Sequence, residues 1–147
     1  IENGEPILGV VTAPALKEAY WGLKGEGAYK RDRTGRTRRI SVVEPGEAKR
    51  VVASKNHLND ETKAFIENLG AHELVQAGSS LKFCKIAEGH ADIYPRLGPT
   101  CEWDTGAAHA VLSAAGGKVE TLEGRPLQYG KEDVLNPNFI AAGNWYK

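Results

Sequence analysis

Residues 99–117 read PTCEWDTGAAHAVLSAAGG: one acid, Asp104, stands between a bulky Trp103 and a run of small residues. The run from Asp104 to Gly117 has helical length and stops at paired glycines, and it follows the strand-like ADIYPRL at 91–97. The same order recurs on both sides. Downstream, GKVETL and NFIAAGN read as strands. Upstream, SSLKFCKIAEGH reads as a helix ending near Gly89, HELVQAG as a strand, NDETKAFIENLG as a helix and RVVAS as a strand. In NDETKAFIENLG, Asn59 or Asp60 caps the start, Phe65, Ile66 and Leu69 share one face, and Gly70 stops the helix. Strands alternating with helices predict an α/β fold, a mixed sheet with helices layered on it.

Upstream of Glu47 the texture changes. Asn3-Gly4 is a hairpin signal, and the segment after it reads as a strand ending at Pro14. Two short strands, Tyr20–Leu23 and Ala28–Lys30, flank the Gly-rich KGEG, and RRISVV alternates like a third. Residues 1–46 are therefore expected to form a β-meander belonging to an N-terminal sheet. Residues 47–147 are expected to form an α/β domain carrying the substrate and metal sites. The basic run from Lys30 to Arg39 reads as a solvated edge that discourages strand pairing.

Nineteen basic and nineteen acidic residues cancel over the 147 positions, so no global field attracts nucleic acid. Any anionic partner must be held locally. A chain this long buries roughly 70% of its unfolded surface and needs no disulfide. Cys84 and Cys101 are too far apart for a CxxC pair. Two free thiols in a cytoplasmic protein are expected, with the inner face of the cell membrane as the alternative placement. Membrane association is not evident from the sequence. The chain has no methionine and opens directly in turn and strand, which predicts a piece of a longer protein.

Chemistry gathers where strands end and helices begin, because unpaired amides and the helix dipole favour an anion there. In AGSSLKFC, Ser79 and Ser80 open a helix and Lys82 lies in its first turn. Hydroxyls, amides and an ammonium make a phosphate cradle, although serine is also an ordinary cap. In EWDTGAA, Asp104 takes the N-cap position, and Gly106, Ala107 and Ala108 leave the backbone open to a phosphate-sized group. Capping alone also explains an Asp there, and one carboxylate is too few to hold Mg2+ tightly. Arg96 closes ADIYPRL with a fork suited to phosphate, and His57 follows RVVAS into the same region. The histidines have no metal-ligand spacing, and Walker, Rossmann and nucleophile-elbow motifs are absent from the sequence.

WDTGAAHAVLSAAGG resembles the C-terminal signature of the inositol monophosphatase superfamily: Trp-Asp, small residues, then Ala-Gly-Gly. Gly106 and Ala108 stand where the family usually has alanine and glycine. GVVTAPALKEAYWGLKGEGAYK and GSSLKFCKIAEGHADIYPR resemble further family segments, so the likeness covers nearly the whole chain. Within the superfamily it is nearest the bacterial 3'(2'),5'-bisphosphate nucleotidase branch of sulfate assimilation. GSSLK and YPR carry this distinction, since inositol monophosphatases resemble GSAAL at the first position and lack the cation.

The resemblance implies a Mg2+-dependent phosphatase acting on a small-molecule nucleotide bisphosphate, by in-line attack of an activated water, with lithium sensitivity as a family trait. It implies that Ser79, Lys82, Arg96 and His57 contact the nucleotide, and that Asp104 binds both substrate and Mg2+. The remaining metal acids, in an Asp-Pro-Ile/Leu-Asp-Gly-Thr motif, and the general base would lie in a missing N-terminal part. No catalytic residue is assigned within these 147 positions, and the isolated chain is expected to be inactive. The alternatives are an inositol monophosphatase-type enzyme and a non-catalytic nucleotide- or anion-binding module. If the first strands were torn from a larger sheet, disorder or self-association over the first 40 residues would follow.

Overall fold

Period-two alternation along residues 8–40 produces four strands: β1 (Leu8–Ala13), β2 (Glu18–Leu23), β3 (Gly27–Arg31) and β4 (Thr37–Ile40). They form an antiparallel meander in that order. The structure, a computed structural model, describes residues 1–53 and 58–147. Ahead of β1, Glu2 pairs with Glu5 around Asn3 and Gly4, whose φ angles of 53° and 78° suit a tight hairpin turn. β4 stops at Ile40, short of the expected RRISVV strand. The Val42 N–H instead donates to the Ala115 carbonyl at 3.0 Å, satisfying the end of a helix rather than a sheet.

The remainder alternates: β5 (Lys49–Ala53), α1 (Asp60–Asn68), β6 (His72–Gln76), α2 (Leu81–Ala87), β7 (Ile93–Arg96), α3 (Glu102–Ala114), β8 (Lys118–Thr121) and β9 (Phe139–Ala142). The second sheet has the order β6-β5-β7-β9-β8. β5 is parallel to β6 and β7, while β9 runs antiparallel to β7 and β8. The fold is α/β with a mixed sheet. Asn59 caps α1 by accepting the Thr62 N–H at 2.8 Å, and Gly70, at φ 84°, follows its end.

Alternation along the mixed sheet sorts its side chains into two cores. Val52, Tyr94, Phe139 and Ala141 join α2, α3 and the inner face of the meander. Their neighbours Val51, Ile93, Ile140 and Ala142 pack with Ile66 of α1 on the other face. The layers are thus meander, α2 with α3, mixed sheet, α1. The small residues of α3 set the first spacing. A methyl group added at Gly9 would lie 2.0 Å from the Ala107 carbonyl oxygen, and one at Gly22 would lie 2.9 Å from the Ala114 methyl. Filling either site costs roughly 1–3 kcal/mol or more through overpacking. The expected openness at Gly106, Ala107 and Ala108 holds in part: Ala108 is buried, while Ala107, whose carbonyl packs on Gly9, is exposed on a hollow it shares with Ser79 and Ser80, and Gly106 is half-buried beside Tyr129.

Two further expectations change. In place of local disorder, the first 40 residues hold the four meander strands, whose inner face α3 covers because Val11, Tyr20, Ala28 and Ile40 enter the main core. Lys30 is not part of a solvated basic edge. It is 6% exposed, with its ammonium 2.9 Å from Glu18 and 3.0 Å from Glu88 at the end of α2.

Candidate active site

β5, β6 and β7 are parallel, so their carboxyl ends, Ala53, Gln76 and Arg96, face one edge of the sheet. The connections diverge there: α1 joins β5 to β6 on one face, and α2 joins β6 to β7 on the other. Such a divergence leaves a crevice beyond the strand ends. A cavity of about 510 Å³ opens between the end of β7, the start of α2 and the first turn of α3. A hollow of about 320 Å³ adjoins it, sharing Tyr94, Arg96 and Pro99.

Four of the five residues singled out in the sequence, Ser79, Lys82, Arg96 and Asp104, line the larger cavity. His57 lies outside the described residues. Lys82 is 5% exposed and has no carboxylate partner among the described residues. Its ammonium stands 5.4 Å from the centre of the Tyr94 ring. Burial, and then the Arg96 guanidinium, hold its pKa below the ordinary lysine value. Arg96 donates to the Pro99 carbonyl at 3.1 Å, while its buried Nε has no partner among the described residues. Phe83, Tyr94 and Phe139 form the floor, with ring centres 5.4–5.8 Å apart.

The serines do less for the helix than expected. α2 begins at Leu81, and Ser80 at its cap makes no side-chain capping bond. Ser79 holds φ at 37°, a left-handed conformation costly for a residue with a Cβ. Asp104 is also displaced from its expected position. Cys101 is the N-cap of α3, and Asp104 is the third helical residue. Its Oδ2 reaches back to accept the Cys101 N–H at 2.8 Å, the acidic half of a capping box. The other carboxylate oxygen has no hydrogen-bond partner among the described residues, and Asp104 lines the cavity.

Residues 129–136 form a strap across the start of α3, which the sequence did not signal. The Glu102 carboxylate accepts N–H bonds from Gly130 and Lys131 at 3.1 and 2.9 Å. The Glu102 N–H donates to Val134, and the Asn136 N–H to Thr100, both at 2.9 Å. The strap has no periodicity, and only the turn-prone Asn136-Pro137 hints at it. Thr100, Trp103 and Thr105 reach the cavity as neighbours of Asp104.

Three or more His, Cys, Asp or Glu placed to hold a metal are absent among the described residues. Asp104 fits as one ligand of a Mg2+ ion, and one carboxylate does not make a site. No helix among the described residues is long and apolar enough to cross a membrane.

The model of the inositol monophosphatase family matches residues 1–147. The chain belongs to that family. It is 45% identical over 140 residues to the 3'(2'),5'-bisphosphate nucleotidase CysQ of Salmonella typhimurium, covering 95% of this chain and 56% of that protein. CysQ of Escherichia coli K12 gives the same identity and coverage. The crystal structure of CysQ from Bacteroides thetaiotaomicron superimposes with a TM-score of 0.89 at 39% identity, over 97% of this chain and 60% of that one. Staphylococcal IMPase-II, at 17% identity and a TM-score of 0.74, shares the fold. This family member spans 56% of the length of the two curated relatives.

Proposed function

We propose that this chain carries the phosphate-recognising part of a Mg2+-dependent phosphatase that hydrolyses 3'(2')-phosphoadenosine 5'-phosphate to AMP and phosphate. The observation that carries this reading is Lys82, a buried ammonium without a carboxylate partner among the described residues, on the same cavity as Arg96. Two cations left unneutralised in a confined space call for an anion, and a bisphosphate has a second phosphate to supply. Lys82, Arg96 and Ser79 take the non-reacting phosphate. Asp104 borders the reacting one. His57 completes the nucleotide contacts from outside the described residues. The adjoining hollow at Arg96 gives the nucleoside room. The 45% identity to proteins named for this activity supports the reading.

Asp104 supplies one metal ligand. The other ligands and the general base come from residues outside these 147. No catalytic step is therefore assigned within this chain, which by itself is expected to be inactive. Residues 1–46 belong to a larger sheet in the complete enzyme. On the outer face of the meander Leu8, Val10 and Leu23 are exposed, and Trp21 lies across from Tyr29, a surface suited to further chain. Free Cys84 and Cys101 fit a cytoplasmic location.

Calorimetric titration tests the reading. Adenosine 3',5'-bisphosphate is expected to bind about tenfold or more tightly than AMP or inositol monophosphate, with Lys82→Met erasing the difference. Equal affinities would reject it. Steady Mg2+-dependent phosphate release by the chain alone would reject the expected inactivity.

A further inference from the structure

Thr105 follows Asp104 in α3, and its side chain turns inward, 1% exposed. Its hydroxyl is fully used. The Tyr129 hydroxyl donates to it at 3.0 Å and the Asn136 amide at 3.1 Å, and it donates to the Glu102 carbonyl at 3.3 Å. The second N–H of Asn136 goes to the Thr100 hydroxyl at 3.1 Å. One amide therefore bridges both ends of the Thr100–Thr105 turn, with Asp104 between them.

Proton accounting extends the chain. Tyr129 gives its proton to Thr105, so its oxygen accepts from His109, whose Nδ1 lies 2.8 Å away. This arrangement assigns His109 the Nδ1–H tautomer. Burial keeps its ring neutral, with the pKa lowered to about 4. The ring lines a separate cavity of about 380 Å³ near Glu5 and Gln128.

We propose that Thr105 is a positioning residue: its hydroxyl, held by Tyr129 and Asn136, locks the turn that aims the Asp104 carboxylate into the phosphate cavity. The proposal rests on the phosphatase reading for its purpose, while the lock itself is independent of any ligand. Thr105→Val removes the hydroxyl at constant shape, and Thr105→Ser keeps it.

In Thr105→Val, Tyr129 loses its acceptor and turns its proton toward His109. Nitrogen NMR of the ring then finds the proton on Nε2 instead of Nδ1. Exchange of the Cys101 amide, the donor to Asp104, quickens about tenfold. Thr105→Ser restores both. A Thr105→Val protein that melts at lower temperature but keeps the Nδ1 tautomer and the native Cys101 exchange overturns the proposal, since the hydroxyl then serves stability alone. If the unmodified chain binds no bisphosphate, the phosphatase reading fails, and the tautomer and exchange measurements still decide the lock.

Discussion

The two ends of α2 treat buried charge in opposite ways. At its C-terminal end Glu88, its side chain inaccessible, meets Lys30 at 3.0 Å, and Glu18 holds the same ammonium at 2.9 Å. At its N-terminal end Lys82 is as deeply buried as Lys30 and faces Arg96, with no acid answering it among the described residues. Desolvation is paid in both places, but only the first repays it from within the chain. A closed ion cluster is architecture. An open one leaves a positive charge unanswered, and the proposed anion would answer it. His109 marks a third solution, in which a buried base escapes the need for a partner by staying neutral.

The largest effect should come from breaking the closed cluster. Lys30→Met strands Glu18 and leaves Glu88 with only His90 and the more distant Lys85, and is expected to cost about 3–5 kcal/mol in denaturant unfolding. A cost below about 1 kcal/mol would show that the cluster is solvated and erase the contrast.

Acid titration comes next. The folded His109 pKa of about 4 lies below the ordinary 6.5, so the unfolded chain takes up the proton first. Its stabilising contribution is complete above pH 6.5 and fades as pH falls toward 4, by roughly 3 kcal/mol. His109→Gln should flatten that limb. Glu88 acts at lower pH. Burial raises its pKa, but the nearby Tyr20 hydroxyl and the Lys30 and Lys85 ammoniums outweigh burial and hold it below 4.5. Its contribution is therefore lost only as pH falls below that value. A stability profile flat from pH 7 to 4 would contradict the His109 assignment.

Lys82→Met turns the comparison around. Removing an unanswered charge should leave the melting temperature unchanged or higher, while adenosine 3',5'-bisphosphate affinity falls by about 1.5–3 kcal/mol. Loss of stability without loss of binding would make Lys82 a structural residue. The smallest effect belongs to Lys85, partly exposed and 3.7 Å from Glu88. Lys85→Ala should cost no more than about 1 kcal/mol, because Lys30 and His90 lie closer to Glu88, and a larger loss would make it a full member of the cluster.

The site was legible where it sits on element ends. Ser79, Lys82, Arg96 and Asp104 were each found at a strand–helix junction, and the parallel strands turn those junctions into one cavity. What failed was whatever depends on distant partners. Lys30 looked like its arginine neighbours because its burial is decided by Glu88, remote in sequence. Asp104 looked like a cap because an acid at the first or third position gives the same local pattern, and only the Cys101 N–H distinguishes them. Tyr129 and Asn136 lie in an irregular strap whose order is written in its contacts with α3 rather than in any repeat.

The close approaches at Gly9 and Gly22 reach further than packing. They fix the distance from the meander to α3, and α3 carries Asp104 on its first turn. The placement of Asp104 on the cavity it shares with Lys82 is thus gauged from the meander. A side chain gained at either glycine would act like a shim under a hinge: the protein that tolerated it would still be folded, with its acid and its cations no longer lining the same cavity.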